Sequence, residues 1–104
     1  TGGLNVYPKE IETVIDADSN VEESAVIGVS HPDFGEGIIA IIVEKKGHNI
    51  NHEILNETLR KNLANFKLPK KIHISKELPR NTMGKVQKNI LRDLYKDEFS
   101  KTNK

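Results

Sequence analysis

Cysteine is absent from these 104 residues, and with it go disulfide frameworks, thiolate zinc sites and cysteine nucleophiles; the absence agrees with a reducing, cytoplasmic setting. Long apolar runs are absent too. The longest, Ile38 to Val43, is six residues, where a membrane-spanning helix needs about 20, so it reads as a buried strand and no membrane contact is expected. Aromatic residues make up 5% of the chain and form no run on which nucleic-acid bases could stack. The four histidines are scattered. His48 and His52 have i,i+4 spacing, but Gly47 and Asn49 make that stretch a turn leading to a helix, and no metal site is expected. Asn56-Glu57-Thr58 matches the glycosylation pattern, and with no signal peptide before it a chance match is expected. Internal repeats, low-complexity stretches and an internal linker are missing as well, so residues 1–104 are expected to form one domain with a modest core.

What the chain does have is charge, unevenly placed. The formal net charge is +1, yet residues 1–66 hold 5 Lys/Arg against 11 Asp/Glu, whereas residues 67–104 hold 11 against 4. Such a split is either a solvated face or a patch that meets an anion. Thr1-Gly2-Gly3 opens the chain without an initiator methionine, and the expectation is a piece cut from a longer protein. Pro8 then stands where a first helical residue would, with Ile11, Val14 and Ile15 on one face, predicting a helix over 8–17. Ser24 to Val29 and Gly37 to Glu44 are apolar, β-branched runs separated by the turn His31-Pro32-Asp33-Phe34-Gly35, hence two adjacent, buried strands. Asn51 caps a second helix over 52–65 whose Leu55, Leu59 and Leu63 face the sheet, and Phe66 to Pro69 stops it. Ile72 and Ile74 alternate with His73 and Ser75, the mark of a strand with one wet face. Ile90, Leu91, Leu94, Tyr95 and Phe99 have the spacing of a last amphipathic helix. The fold expected is α+β: a small mixed sheet of about three main strands flanked by three helices.

Between the last strand and the last helix lies Leu78-Pro-Arg-Asn-Thr-Met-Gly-Lys-Val-Gln-Lys-Asn89. Gly84-Lys85 invites a P-loop reading, but the places of its first glycine and its Ser/Thr hold Pro79 and Val86, so the phosphate cradle and the Mg²⁺ hydroxyl are both missing. A Ser/His/Asp hydrolase has no nucleophile elbow to rest on. The reading that survives is a mobile, proline-bounded loop presenting Lys85, flanked by Arg80 and Lys88: either solvated charge or a cation placed to meet a phosphate.

Together with the opening Thr1-Gly-Gly-Leu-Asn-Val-Tyr-Pro-Lys-Glu-Ile-Glu12, this loop resembles the two core motifs of the C-terminal domain of the acyl- and aryl-CoA synthetase, nonribosomal-peptide adenylation and luciferase superfamily. The resemblance runs through Ser24 to Val29, the His-Pro-Asp-Phe-Gly-Glu turn and Phe66-Lys-Leu-Pro-Lys-Lys-Ile72. The wording NVYPKEIE, SHPDFGEG and LPRNTMGKVQKN is most similar to the malonyl-CoA synthetase branch. Gln87-Lys88, where nonribosomal adenylation domains commonly carry Asp-Arg, favours CoA over a carrier protein.

The resemblance implies an enzyme in which a carboxylate attacks the α-phosphate of Mg·ATP, after which the CoA thiol displaces AMP. Lys85 would bridge the carboxylate and the α-phosphate or ribose oxygens in the first step, and the family implies that its acetylation would switch that step off. The domain would then rotate about a hinge lying just before Thr1, bringing Gly2 and Gly3 to the pantetheine tunnel. Phe66 and Lys67 are the candidates for the CoA adenine and a CoA phosphate, with Lys70 and Lys71 as neighbours; Arg80 and Lys88 would steer anions. The implied partners are the domain's own N-terminal domain, ATP, CoA and a small carboxylic acid, with no nucleic acid and no membrane. No cofactor is expected tightly bound to these 104 residues alone, which are expected to fold but not to turn over. The reading from another class is a stand-alone module that binds RNA or an acidic partner through the basic second half. Against it stand the near-neutral total charge and the lack of aromatic runs.

Overall fold

Because side chains alternate across a strand, an unbroken apolar run such as Ile38 to Val43 is stable only if both faces of its strand are covered. The computed structural model, which describes residues 7–33 and 35–100, meets that requirement. Strand β1 (Val21–His31) runs antiparallel to β2 (Gly35–Glu44), and β2 runs parallel to β3 (Lys71–Ile74), giving the order β1-β2-β3. Parallel neighbours need a crossover of a dozen or more residues. Residues 45–70 supply it, with helix α2 (His52–Asn62) at its centre. Helices α1 (Pro8–Asp16) and α3 (Lys88–Leu94) complete the expected α+β domain of three helices and a three-stranded mixed sheet.

One face of the sheet presents Val26, Ile38, Ala40 and Ile42 to Ile11 and Ile15 of α1 and to Leu55 and Leu59 of α2, with Leu63 beside them. Ile11 and Ile15 are fully buried, each contributing about 1.5–3 kcal/mol. The other face presents Ala25, Ile27, Val29, Ile39, Ile41 and Val43 to Leu78 and Leu91, with Val86, Tyr95 and Phe99 packed around them. One layer is thus built from two helices, the other from a loop, a short helix and a tail. The exposed edge of β1 is closed by Glu12, whose Oε2 accepts the Val26 N–H at 2.8 Å.

Four expectations change. Strand β1 begins at Val21 rather than Ser24, because Val21 and Glu23 pair with β2 across a register irregularity. Helix α2 ends at Asn62 rather than 65, followed by a single 3₁₀ turn, Asn65–Lys67. The last helix ends at Leu94, and only Leu91 of it is buried; Ile90 and Leu94 are 44% and 69% exposed. The chain leaves the helix there because its aromatic residues dock elsewhere. Tyr95 stacks on His73 with centroids 4.8 Å apart, so the supposed wet face of β3 is partly covered while Ile74 on its supposed dry face is exposed, and Phe99 lies 4.9 Å from His31. Phe99 also rests on Gly37: a Cβ there would sit 2.4 Å from its ring. Among the described residues no helix is long and apolar enough to cross a membrane.

Candidate functional site

Leu78, buried against the second face, anchors one end of the lysine loop, and Val86 packs against the same face at the other. Between them the proline-bounded loop takes the form of a short hairpin. Arg80 and Val86 make an antiparallel bridge, and Gln87 N–H donates to Pro79 O at 2.8 Å. The turn itself is Asn81 to Gly84, closed by Gly84 N–H to Asn81 O at 2.9 Å. Asn81 Oδ1 accepts the backbone N–H groups of Met83 and Lys85, both at 2.9 Å, while Asn81 N–H donates to Lys85 O at 3.0 Å. Gly84 has φ +84, and an added Cβ would meet nothing within 4 Å. Within this domain its backbone conformation is reason enough for glycine.

The cations around this turn fare differently. Arg80 donates from Nη1 to Gly84 O at 2.7 Å and from Nη2 to Glu23, and Lys88 pairs with Glu12 at 2.6 Å. Both are paired with glutamates of the domain, at partly exposed positions. Lys85 is exposed, its backbone N–H and C=O are both engaged, and its ammonium has no partner among the described residues. Other exposed cations, Lys45, Lys76 and Arg92 among them, also lack side-chain partners among the described residues, and Lys45 has its N–H and C=O engaged as well, by Asn20 O and the His48 N–H; what sets Lys85 apart is its place in the motif turn.

The other candidate corner lies on the opposite layer, at the 3₁₀ turn after α2. Phe66 is 50% exposed and meets Tyr7 edge to face, with centroids 6.5 Å apart. Lys67 Nζ sits 4.5 Å from the Tyr7 ring centroid and 5.6 Å from that of Phe66, and forms an ion pair with Glu10 at 2.8 Å. The structure therefore brings Phe66 and Lys67 together, but with the ammonium already held. Lys71 pairs with Glu98 at 3.7 Å, and Glu98 also meets His73 at 3.2 Å. Gly2 and Gly3 lie outside the described residues.

Three of these pairs join the two halves of the charge asymmetry. Lys67, Arg80 and Lys88 of the basic half are bound to Glu10, Glu23 and Glu12 of the acidic half, so the split in the sequence closes on itself in the fold. Beside Glu12 and Glu23, burial pushes the Asp16 carboxyl above its ordinary range; the Ser24 hydroxyl at 2.7 Å opposes this, the two glutamates add to it and Lys9 offsets it. Among the described residues no group of three or more His, Asp or Glu side chains could hold a metal ion. The residues that sequence reasoning missed are Tyr7, Glu10 and Glu23, whose partners lie 57 or more positions away, and Asn81. Asn81-Thr-Met-Gly84 does carry a signal, asparagine first and glycine fourth in a turn.

Comparison with known proteins places this geometry. The AMP-binding enzyme C-terminal domain matches residues 10–85. A 2-succinylbenzoate–CoA ligase from Listeria innocua is 42% identical over 95 residues, covering 91% of this chain and 20% of that protein. The long-chain-fatty-acid–CoA ligase FadD13 of Mycobacterium tuberculosis is 41% identical over 95 residues, covering 91% and 19%. Among solved structures, ATP-bound MatB from Rhodopseudomonas palustris matches with a TM-score of 0.90 at 57% identity, covering 96% of this chain and 20% of that one. The chain thus spans about a fifth of the length of the relatives it matches.

Proposed function

This chain belongs to the AMP-binding enzyme C-terminal domain family, and we propose that it is the carboxy-terminal lid of an ATP-dependent, AMP-forming acid–CoA ligase, with Lys85 as the cation of the adenylation step. One observation carries the role of Lys85: of the three cations in the motif loop, Arg80 and Lys88 are paired with Glu23 and Glu12, while Lys85 sits on a backbone held at its N–H and C=O with no partner for its ammonium among the described residues.

The chemistry asks for such a group. Adenylation brings a carboxylate onto the α-phosphate of ATP, an anion onto an anion, and CoA then supplies the thiol that takes the acyl group. Lys85 Nζ donates to the carboxylate and to an α-phosphate or ribose oxygen, offsetting the repulsion and stabilising charge as it develops. A preorganised turn supplies that donor without reorganisation at the moment of reaction. Mg²⁺ belongs with the upstream domain, where the resemblance places its site.

For CoA, the half-exposed ring of Phe66 fits an adenine, whereas Lys67 fits a phosphate only by exchanging Glu10 for it. Gly2 and Gly3 keep the pantetheine role that the resemblance implies. The lysine turn and the Phe66 corner lie on opposite layers of the sheet, which suits a domain that turns a different face to the upstream domain in each half-reaction. The motif wording and the likeness to MatB favour a small acid, malonate first; the lack of cysteine suits a cytoplasmic enzyme. The nucleic-acid reading loses its footing, because the basic half spends several of its cations on the acidic half.

The test uses the full-length enzyme. Lys85→Ala is expected to lower pyrophosphate release with malonate by on the order of 10²- to 10³-fold, about 3–4 kcal/mol, and to leave thioester formation from preformed acyl-adenylate intact. Survival of both steps would overturn the assignment.

A further inference from the structure

We infer that Asn81 is a positioning residue for Lys85, acting through the backbone and not on any reacting atom; the inference rests on the adenylation role proposed above. Four hydrogen bonds converge on this one residue. Its Oδ1 takes the N–H groups of Met83 and Lys85, its own N–H reaches Lys85 O, and its C=O takes the Gly84 N–H. Lys85 is therefore held on both its N–H and its C=O by the same asparagine. Arg80 grips the turn at Gly84 O and is itself held by Glu23, so the hairpin stays attached to the sheet when the Asn81 side chain is removed. What is lost is the definition of where the Lys85 Cα sits.

That definition matters because an ammonium at the end of a four-carbon stem turns a small change at its Cα into a larger one at Nζ. A misplacement of about 1 Å in a reacting constellation can cost on the order of 10²-fold. Stability is a separate matter. Asn81, Met83 and Lys85 are all exposed, so water can take over the two freed N–H groups and truncation leaves the fold nearly untouched. The side chain must also be an acceptor that reaches two and four residues ahead, which aspartate provides and alanine does not.

The experiment is a double-mutant cycle in the full-length enzyme, reading adenylation, thioester formation, thermal stability and amide hydrogen exchange across residues 80–87. Asn81→Ala is expected to lower the adenylation kcat about tenfold, leave the thioester step and the melting temperature unchanged, and speed exchange at the Met83 and Lys85 amides. Asn81→Asp restores their protection. On the Lys85→Ala background, Asn81→Ala is expected to cost nothing further, since there is no ammonium left to position. If Asn81→Ala is neutral in the wild type, or costs the same tenfold with Lys85 already removed, the inference is overturned while the role of Lys85 stands. If Lys85→Ala itself leaves adenylation intact, both fall together.

Discussion

Two lysines, one on each layer of the same sheet, have opposite fates. Lys67 follows α2 into a 3₁₀ turn and is taken up at once by Glu10 and the Tyr7 ring, tying the end of α2 to the start of α1. Lys85 follows a turn whose polar groups are used on the backbone, and its ammonium has no partner among the described residues. The sequence offered both as cations for a phosphate, Lys85 from its motif loop and Lys67 from the stretch after the second helix. The difference teaches that a cation becomes available for chemistry when the fold supplies it a rigid mount and withholds a counterion. Its neighbours make the point, because Arg80 and Lys88, three to five positions away, have carboxylates and Lys85 has none among the described residues.

The comparison breaks most strongly where the second layer is seated. Gly37→Ala places a Cβ 2.4 Å from the Phe99 ring and is expected to destabilise the domain by about 1–3 kcal/mol, seen as a lowered urea midpoint. On a Phe99→Ala background the same change should cost close to nothing, because the clash is gone. If the two penalties simply add, Phe99 is not what Gly37 makes room for.

Much of this was legible in advance. The pairing of two buried strands, the leucine face of α2, its Asn51 cap, which takes the Ile54 N–H at 3.0 Å, and the Pro8 start of α1 follow from local periodicity and end signals, and these hold. What failed depends on residues far apart. Val21-Glu22-Glu23 looks too polar for a strand until β2 pairs with it, and Tyr95 and Phe99 look helical until His73 and Gly37 offer them seats. The position of Lys85 could be read from its motif. That Arg80, Lys88 and Lys67 are already bound could not, since their acidic partners lie 57 to 76 positions away.

A smaller change sharpens the account of the turn. Gly84→Ala forces a residue with a Cβ to φ +84 and is expected to cost about 1–2 kcal/mol with no steric clash, while Gly84→Asn should cost less because asparagine tolerates that region. Urea denaturation of the two variants ranks them, and equal penalties would mean that something other than backbone conformation selects glycine here.

The smallest effect expected concerns Asp16, which lies among the acids that hold Arg80 and Lys88. Its carboxyl is raised chiefly by burial, so its ionisation disfavours the folded state. That penalty is absent below the ordinary value of 3.8 and fully present once pH has risen through the raised folded value. Asp16→Asn should therefore stabilise the domain slightly at neutral pH, with the gain vanishing below pH 3.8. A gain that grows on acidification would have the wrong sign.

The most direct test sets the two lysines side by side in the full-length enzyme, replacing each with methionine and measuring both adenylation and thermal stability. The account predicts a crossing: Lys85→Met loses adenylation and keeps its melting temperature, whereas Lys67→Met keeps adenylation and loses stability, by about 1 kcal/mol for a partly exposed pair. Equal losses of adenylation in the two variants, or unfolding of Lys85→Met, would contradict it.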